Sequence, residues 1–385
     1  MNRSISIITL GILVISCGCT GSRNPAEPLE EIDPSTCIIH VETISDPGGR
    51  VSWHPDQNVI AFDRAGTDGY LDIYVIHLDG TGATCLTNTD PRLSHHNGNP
   101  SWHPSGRYLV FQSQNPDLEI ETPIDMSPDM EKFITSPGIG IHNNLWIMTS
   151  DGTRRWQMTH VEKNHGALHP HFSPDGTALL WTEIINPELG GMGHWAIRLA
   201  DFTVDENGPF LSNIQTIRPL DLQLYEVHGF SPDGMSILFS GVESGGYYYD
   251  MEIYLMDLTT HTVKRLTHND EWDEHAHFTP DGSHIVWVSS EGIAQRKGKT
   301  LIEIIENPPR LEYWIMDPDG TQKQRLSYFN DPFSPGFRDV SGGIGLGDFD
   351  IHPLEFKIVA KMREGTQREL TVLLLFSHEC TSTHS

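Results

Sequence analysis

Two His-x-His pairs, His169/His171 and His275/His277, and one Asp-x-Asp pair, Asp348/Asp350, are the groups in this chain best suited to chemistry. Imidazole nitrogens and carboxylates supply the lone pairs that a divalent ion needs. Residues two apart on an extended strand point to the same side, so each pair can face one point. These six residues are the expected metal set, for Zn, Mn or Ca, without every one being a ligand at once. Glu226 and His228 lie in a fourth segment of the same kind, and His95, His96 and His165 lie close by. The competing reading is a polar wall whose histidines hydrogen-bond water and neighbouring loops. The chain has no Gly-x-Ser-x-Gly elbow, no Gly-rich phosphate loop and no Cys-x-x-Cys pair, which excludes several enzyme classes.

What positions these residues is a repeat. Each pair stands just before an apolar anchor that opens a turn: Trp53-His54-Pro55-Asp56, Trp102-His103-Pro104-Ser105-Gly106, Phe172-Ser173-Pro174-Asp175-Gly176, Phe230-Ser231-Pro232-Asp233-Gly234, Phe278-Thr279-Pro280-Asp281-Gly282 and the decayed Ile351-His352-Pro353. Pro presets φ for the second turn position and Gly accepts positive φ. Each turn leads into β-rich stretches such as Val59-Ile60-Ala61-Phe62, Asp72-Ile73-Tyr74-Val75-Ile76 and Val263-Lys264-Arg265-Leu266-Thr267. Four strands per unit and six units predict an all-β, six-bladed β-propeller. The last unit lacks a fourth strand, and Ile38-Ile39-His40-Val41-Glu42-Thr43-Ile44 precedes the first strand of the first unit. Residues 38–44 should therefore pair beside 369–376 and close the ring. Aligned on the anchors, one column (Val51, Pro100, Pro170, His228, Ala276, Phe349) should pack between blades, and the other carries the His and Asp pairs. His228 breaks that alternation, which requires a bulge or a shifted register in blade four. Insertions at 115–143 and 291–312 are expected to overhang the histidine end of the channel. The acidic run in the first (Asp117, Glu119, Glu121, Asp125, Asp129, Glu131) lacks the glycine-centred spacing of a calcium loop and reads as a solvated loop.

These repeats resemble the TolB-like family of propeller repeats, over residues 38 to about 376. The resemblance implies the fold and little of the function, since the repeat serves scaffolds, enzymes and peptidase accessory domains alike. The His-x-His pairs also resemble the metal site of oligogalacturonate-lyase-type propellers, although six units replace seven and no catalytic base can be matched. Three functions follow as expectations. The first is a propeller that binds a protein or carbohydrate ligand at its channel mouth, through a divalent metal. The others are a metal-dependent carbohydrate-active enzyme and a structural partner in a Tol-Pal-like envelope complex. The residues leave the question of catalysis open.

The ends and the composition set the location. Met1-Asn2-Arg3 and an apolar run from Ile5 to Ile15 form a signal-peptide core too short to span a bilayer. Val14-Ile15-Ser16-Cys17 resembles the lipobox of bacterial lipoproteins, which implies cleavage before Cys17 and its lipidation, with Gly18 favouring the outer membrane. The expected organisation is a signal peptide over 1–16, a tether over 17–36 with too little apolar content to pack, the propeller over 37–380 and a tail over 381–385. With 25 basic and 52 acidic residues, the net charge of −27 argues against nucleic acid and against membrane contact other than through the lipid. A monomer is expected. Ring closure brings Cys37 and Cys380 to the same edge of blade six, so an oxidising compartment should join them in a disulfide and leave Cys85 a buried free thiol.

Overall fold

The computed structural model describes residues 37–119, 127–186, 193–366 and 368–376. The signal peptide, Cys17 and the tether lie outside them, as do Cys380 and the tail. The described strands form six four-stranded antiparallel sheets in chain order, the six blades of a propeller.

The turn motif works as its residues dictate. In blades three to five Asp175, Asp233 and Asp281 each accept a hydrogen bond from the hydroxyl two residues earlier (Ser173, Ser231, Thr279) and from the backbone N–H two residues later. Gly176, Gly234 and Gly282 follow with φ of 72°, 71° and 70°. At the far end of the repeat, in blades one, two, four and five, a hydroxyl caps the third strand. Thr87, Thr159, Thr267 and Ser327 accept from the N–H of Ile73, Leu145, Ile253 and Tyr313. The core is divided by the same repetition. Six apolar clusters each straddle two neighbouring blades, and the anchors Trp53, Trp102 and Phe172 are buried in three of them.

The ring closes as the missing strand requires. Ile38–Ser45 pairs antiparallel with Arg368–Phe376, from Ile38 opposite Phe376 to Ser45 opposite Thr371. The first strands differ from a plain alternation. Those of blades two, three and five carry a bulge, and Asn99, His169 and His275 sit in it with φ of 51°, 49° and 50°. Blade four has its bulge between Val227 and Gly229, with Gly229 at φ 125°. The bulge is why His228 leaves the packing column. Two short helices, α1 (Pro128–Thr135) and α2 (Leu301–Glu306), lie in the insertions of blades two and five. Ser127 and Thr300 cap their N-termini, and both helices are too short to show in the sequence as sustained periodicity.

Cys37 is buried and disulfide-bonded, whereas Cys85 is free and half-buried rather than fully buried. Peptide mapping without reduction is expected to recover one species linking the peptides of Cys37 and Cys380. Recovery of Cys380 as a free thiol would refute that pairing.

Candidate metal centre

The first strands line the central channel, where a cavity of about 460 Å³ is bounded by His169, His171, His228, His275, His277 and Asp348. Its wall continues to the prolines of all six first turns, so it opens where the first strands end. The insertions emerge at the other end. There the segment after α1 packs against first- and second-strand residues of the channel wall instead of overhanging the histidine mouth. The Pro137 carbonyl accepts from Gln112 Nε2, and Gly138 lies against the Arg50 guanidinium, which a side chain there would have to displace. Ile134 packs into the apolar cluster of blades three and four.

Glu226, His228 and His275 place one ligand atom each within 4.8 Å of one another. Bonds of about 2.0–2.3 Å put two ligands of one ion at most about 4.6 Å apart, so small side-chain rotations suffice. The partners of the two rings decide which nitrogen is bare. His228 Nε2 lies 2.6 Å from Ser240 Oγ, and that hydroxyl donates to the Asp273 carbonyl. Ser240 must therefore accept from Nε2–H, leaving the His228 Nδ1 lone pair for the cluster. His275 Nε2 lies 3.1 Å from Glu274 Oε2, which also accepts from Trp272 Nε1. Its Nδ1 faces Glu226 Oε1 at 3.9 Å and Asp348 Oδ1 at 3.8 Å. A carboxylate or hydroxyl behind each imidazole is the support that metal-ligating histidines need. The donor set fits a divalent ion.

The electrostatics agree. Burial, then the Glu274 carboxylate, pushes Glu226 well above the usual carboxylate range, and the two side chains are hydrogen-bonded. Burial, followed by the neighbouring His275, holds His228 well below an ordinary histidine. For the same reasons His171 is down to about 3, through burial and His277, and His277 to about 4, through burial and His275. Burial also opposes charge on His275, but Glu274 and Asp348 outweigh it and raise this ring. Asp348 is held well below its usual range, because His275 and Arg50 overcome its burial. Arg50 Nε lies 3.1 Å from Asp348 Oδ2, and its Nη1 lies 3.5 Å from Asp63 Oδ2.

Of the six expected residues, the structure gathers His169, His275 and Asp348 around Glu226, and places His171 and His277 beside each other with ring centroids 6.0 Å apart. Asp350 borders the cavity, but its carboxylate accepts from the Trp53 N–H at 2.7 Å and ties blade six to blade one. His95 and His96 gather on Tyr70 instead. Glu274 and Asp63 went unnoticed in the sequence. Glu274 stands beside His275 in Asp-Glu-His-Ala-His, a signal that adjacency to a candidate ligand could have raised.

No family model matches the chain. An uncharacterized protein of Agrobacterium fabrum is 23% identical over 271 residues, covering 69% of this chain and 71% of that one. Among solved structures, a TolB-type protein from Agrobacterium tumefaciens superposes with a TM-score of 0.52 at 16% identity, over 86% of this chain and 91% of that one. The fold is that of the TolB-like β-propellers. TolB from Acinetobacter baumannii has a TM-score of 0.47 at 21% identity, over 71% of this chain and 53% of its own, so this propeller spans about half of that protein. An oligogalacturonate lyase solved in complex with manganese has a TM-score of 0.48 at 14% identity, over 89% of this chain and 94% of that one.

Replacing Arg50 with Met in this TolB-like propeller removes the guanidinium between Asp63 and Asp348. The loss of stability should be about 3–5 kcal/mol, the usual cost of leaving a buried charge uncompensated. Denaturant unfolding of metal-free protein measures it, and an unchanged midpoint would contradict the charge balance described.

Proposed function

We propose that this chain is an envelope-anchored propeller lipoprotein that holds a divalent cation in its channel and uses it to bind a ligand. Glu226, His228 and His275 hold the ion, and an oxygen-bearing group of a protein or carbohydrate ligand reaches it from the proline-turn end. One observation carries this reading. Two imidazoles, His228 and His275, have their Nε2 atoms engaged by partners, and each places a ligand atom within 4.8 Å of the Glu226 carboxylate. Two nitrogens in the set favour zinc or manganese over calcium, which prefers six to eight oxygens. When bound, the ion supplies a fixed positive charge to an incoming oxygen. Lipidation of Cys17 would hold the protein at the outer membrane, and mass spectrometry of envelope-purified protein should find acylated Cys17 as its first residue.

Elemental analysis of the purified protein is expected to find one zinc or manganese per chain, lost in His228→Ala and in His275→Ala. A wild-type protein that carries no metal and takes none up from solution would sink the proposal. Binding must displace the protons that the metal-free site holds on Glu226 and His275, both raised above their usual values. Affinity should therefore fall as pH falls below neutrality, and calorimetry in two buffers should register proton release.

A second reading, a metal-dependent carbohydrate-active enzyme, has its own observation. His171 and His277 lie in the same cavity, and burial keeps both uncharged at neutral pH, so either can accept a proton beside a bound ligand. Turnover of an acidic oligosaccharide that His277→Ala abolishes while metal content persists would select the enzyme; binding without turnover selects the binding module.

A further inference from the structure

We propose that His169 is a positioning residue rather than a metal ligand: it donates its Nε2 proton to Glu226, and Gln112 and Asn99 set its tautomer. The inference rests on the reading of Glu226 as a ligand, but the hydrogen-bond chain behind it stands on its own.

That chain is pinned at both ends by main-chain groups with one role each. The Pro137 carbonyl can only accept, so the Gln112 group 3.0 Å from it is the amide nitrogen. The backbone N–H of His169 can only donate, and it lies 3.0 Å from the other end of Gln112, which is therefore the oxygen. Gln112 thus has one orientation. Its Oε1 also lies 3.0 Å from the Asn99 side chain, where a second oxygen would be repelled, so Asn99 presents its NH₂ group there. The same Nδ2 lies 2.8 Å from His169 Nδ1. Two N–H groups cannot face each other at that distance, so His169 Nδ1 is bare and accepts from Asn99. Neutral His169 then carries its proton on Nε2, 3.4 Å from Glu226 Oε1.

Two consequences follow. The bare Nδ1 of His169 cannot donate to Asp348 Oδ1, 3.5 Å away, so that approach is a close pass and Asp348 depends on Arg50 and His275. Neither nitrogen of His169 offers a free lone pair to an ion, although the ring stands among the donors. The shared bulge explains the arrangement. Asn99 and His169 occupy equivalent left-handed positions in adjacent blades, which turns both side chains toward the axis and toward each other. Because the hydrogen-bond chain begins at Pro137, the insertion of blade two also sets the hydrogen bonding of Glu226.

The test is ring-nitrogen NMR of the full protein labelled with ¹⁵N-histidine, metal-free and with added zinc chloride, with His169 assigned by the signals lost in His169→Gln. The expected spectrum shows His169 protonated at Nε2 and bare at Nδ1 in both states, while zinc shifts the Nδ1 signals of His228 and His275. Asn99→Asp, which can only accept, should invert His169 to the Nδ1–H form. His169→Leu should weaken zinc affinity about 10–100-fold, as loss of an outer-shell partner does. Protonation at Nδ1 in the wild type, a zinc-induced ligation shift on His169, or unchanged zinc affinity in His169→Leu would each overturn the assignment. Zinc that moves no histidine signal would instead sink the proposed metal centre and leave the tautomer result to be judged alone.

Discussion

Charge balance along the central channel governs this structure. Asp63, Glu226 and the half-buried Asp348 lie within reach of one guanidinium, that of Arg50, and Glu274 is buried beside Glu226. Transferring a carboxylate out of water costs several kcal/mol even after relaxation, so such a group survives only with compensation close by. Arg50 answers for Asp63 and Asp348, and His275 answers for Glu274 and Asp348. Glu226 meets His169 Nε2 at 3.4 Å and His275 Nδ1 at 3.9 Å, and shares a hydrogen bond with another acid. A divalent cation would add the positive charge this cluster lacks, and the His228 ring is already neutral with its Nε2 already engaged.

The fold was legible because repetition multiplies weak signals. One Pro-Asp-Gly turn says little, but three of them, each at the same place in its repeat and with the same Asp cap and positive-φ glycine, identify blades. Ring closure could be read from a missing strand. The site was legible in outline, and the residues of the two His-x-His pairs and Asp348 do meet at one channel. Their roles were not. Spacing of two treats a strand as regular, while a bulge at His169 and His275 re-aims each ring and another at His228 moves it off the packing column. Asp350 shared every sequence feature of Asp348, yet a backbone N–H in the next blade claims it. The amide chain through Asn99 and Gln112 joins side chains from one blade to a histidine of the next, and no local pattern announces it.

The geometry also explains why a propeller suits such a site. Glu226 and His228 come from blade four, His275 from blade five, Asp348 from blade six, and Arg50 from the segment that enters blade one. Each blade is held to its neighbours by a buried apolar cluster, so the donors are fixed by a continuous ring rather than by loops. Asp348 and Arg50 face each other across the junction of the last and first blades, which ties the charge balance to ring closure.

That junction imposes an order on the making of the protein. The strand Ile38–Ser45 is among the first parts of the described chain to be synthesised, and its partner Arg368–Phe376 is the last, with Gly49 and Thr371 bonded across 322 positions. Loop closure over such a span is entropically late. Until then the early strand is an unpaired edge, rich in β-formers and open to wrong partners. His40 and Glu42, both exposed in the finished ring, put polar and charged groups on that edge while it waits. The blade completed last is thus the one whose earliest-made strand must stay unclaimed longest, and the Arg50–Asp348 contact spans that same junction.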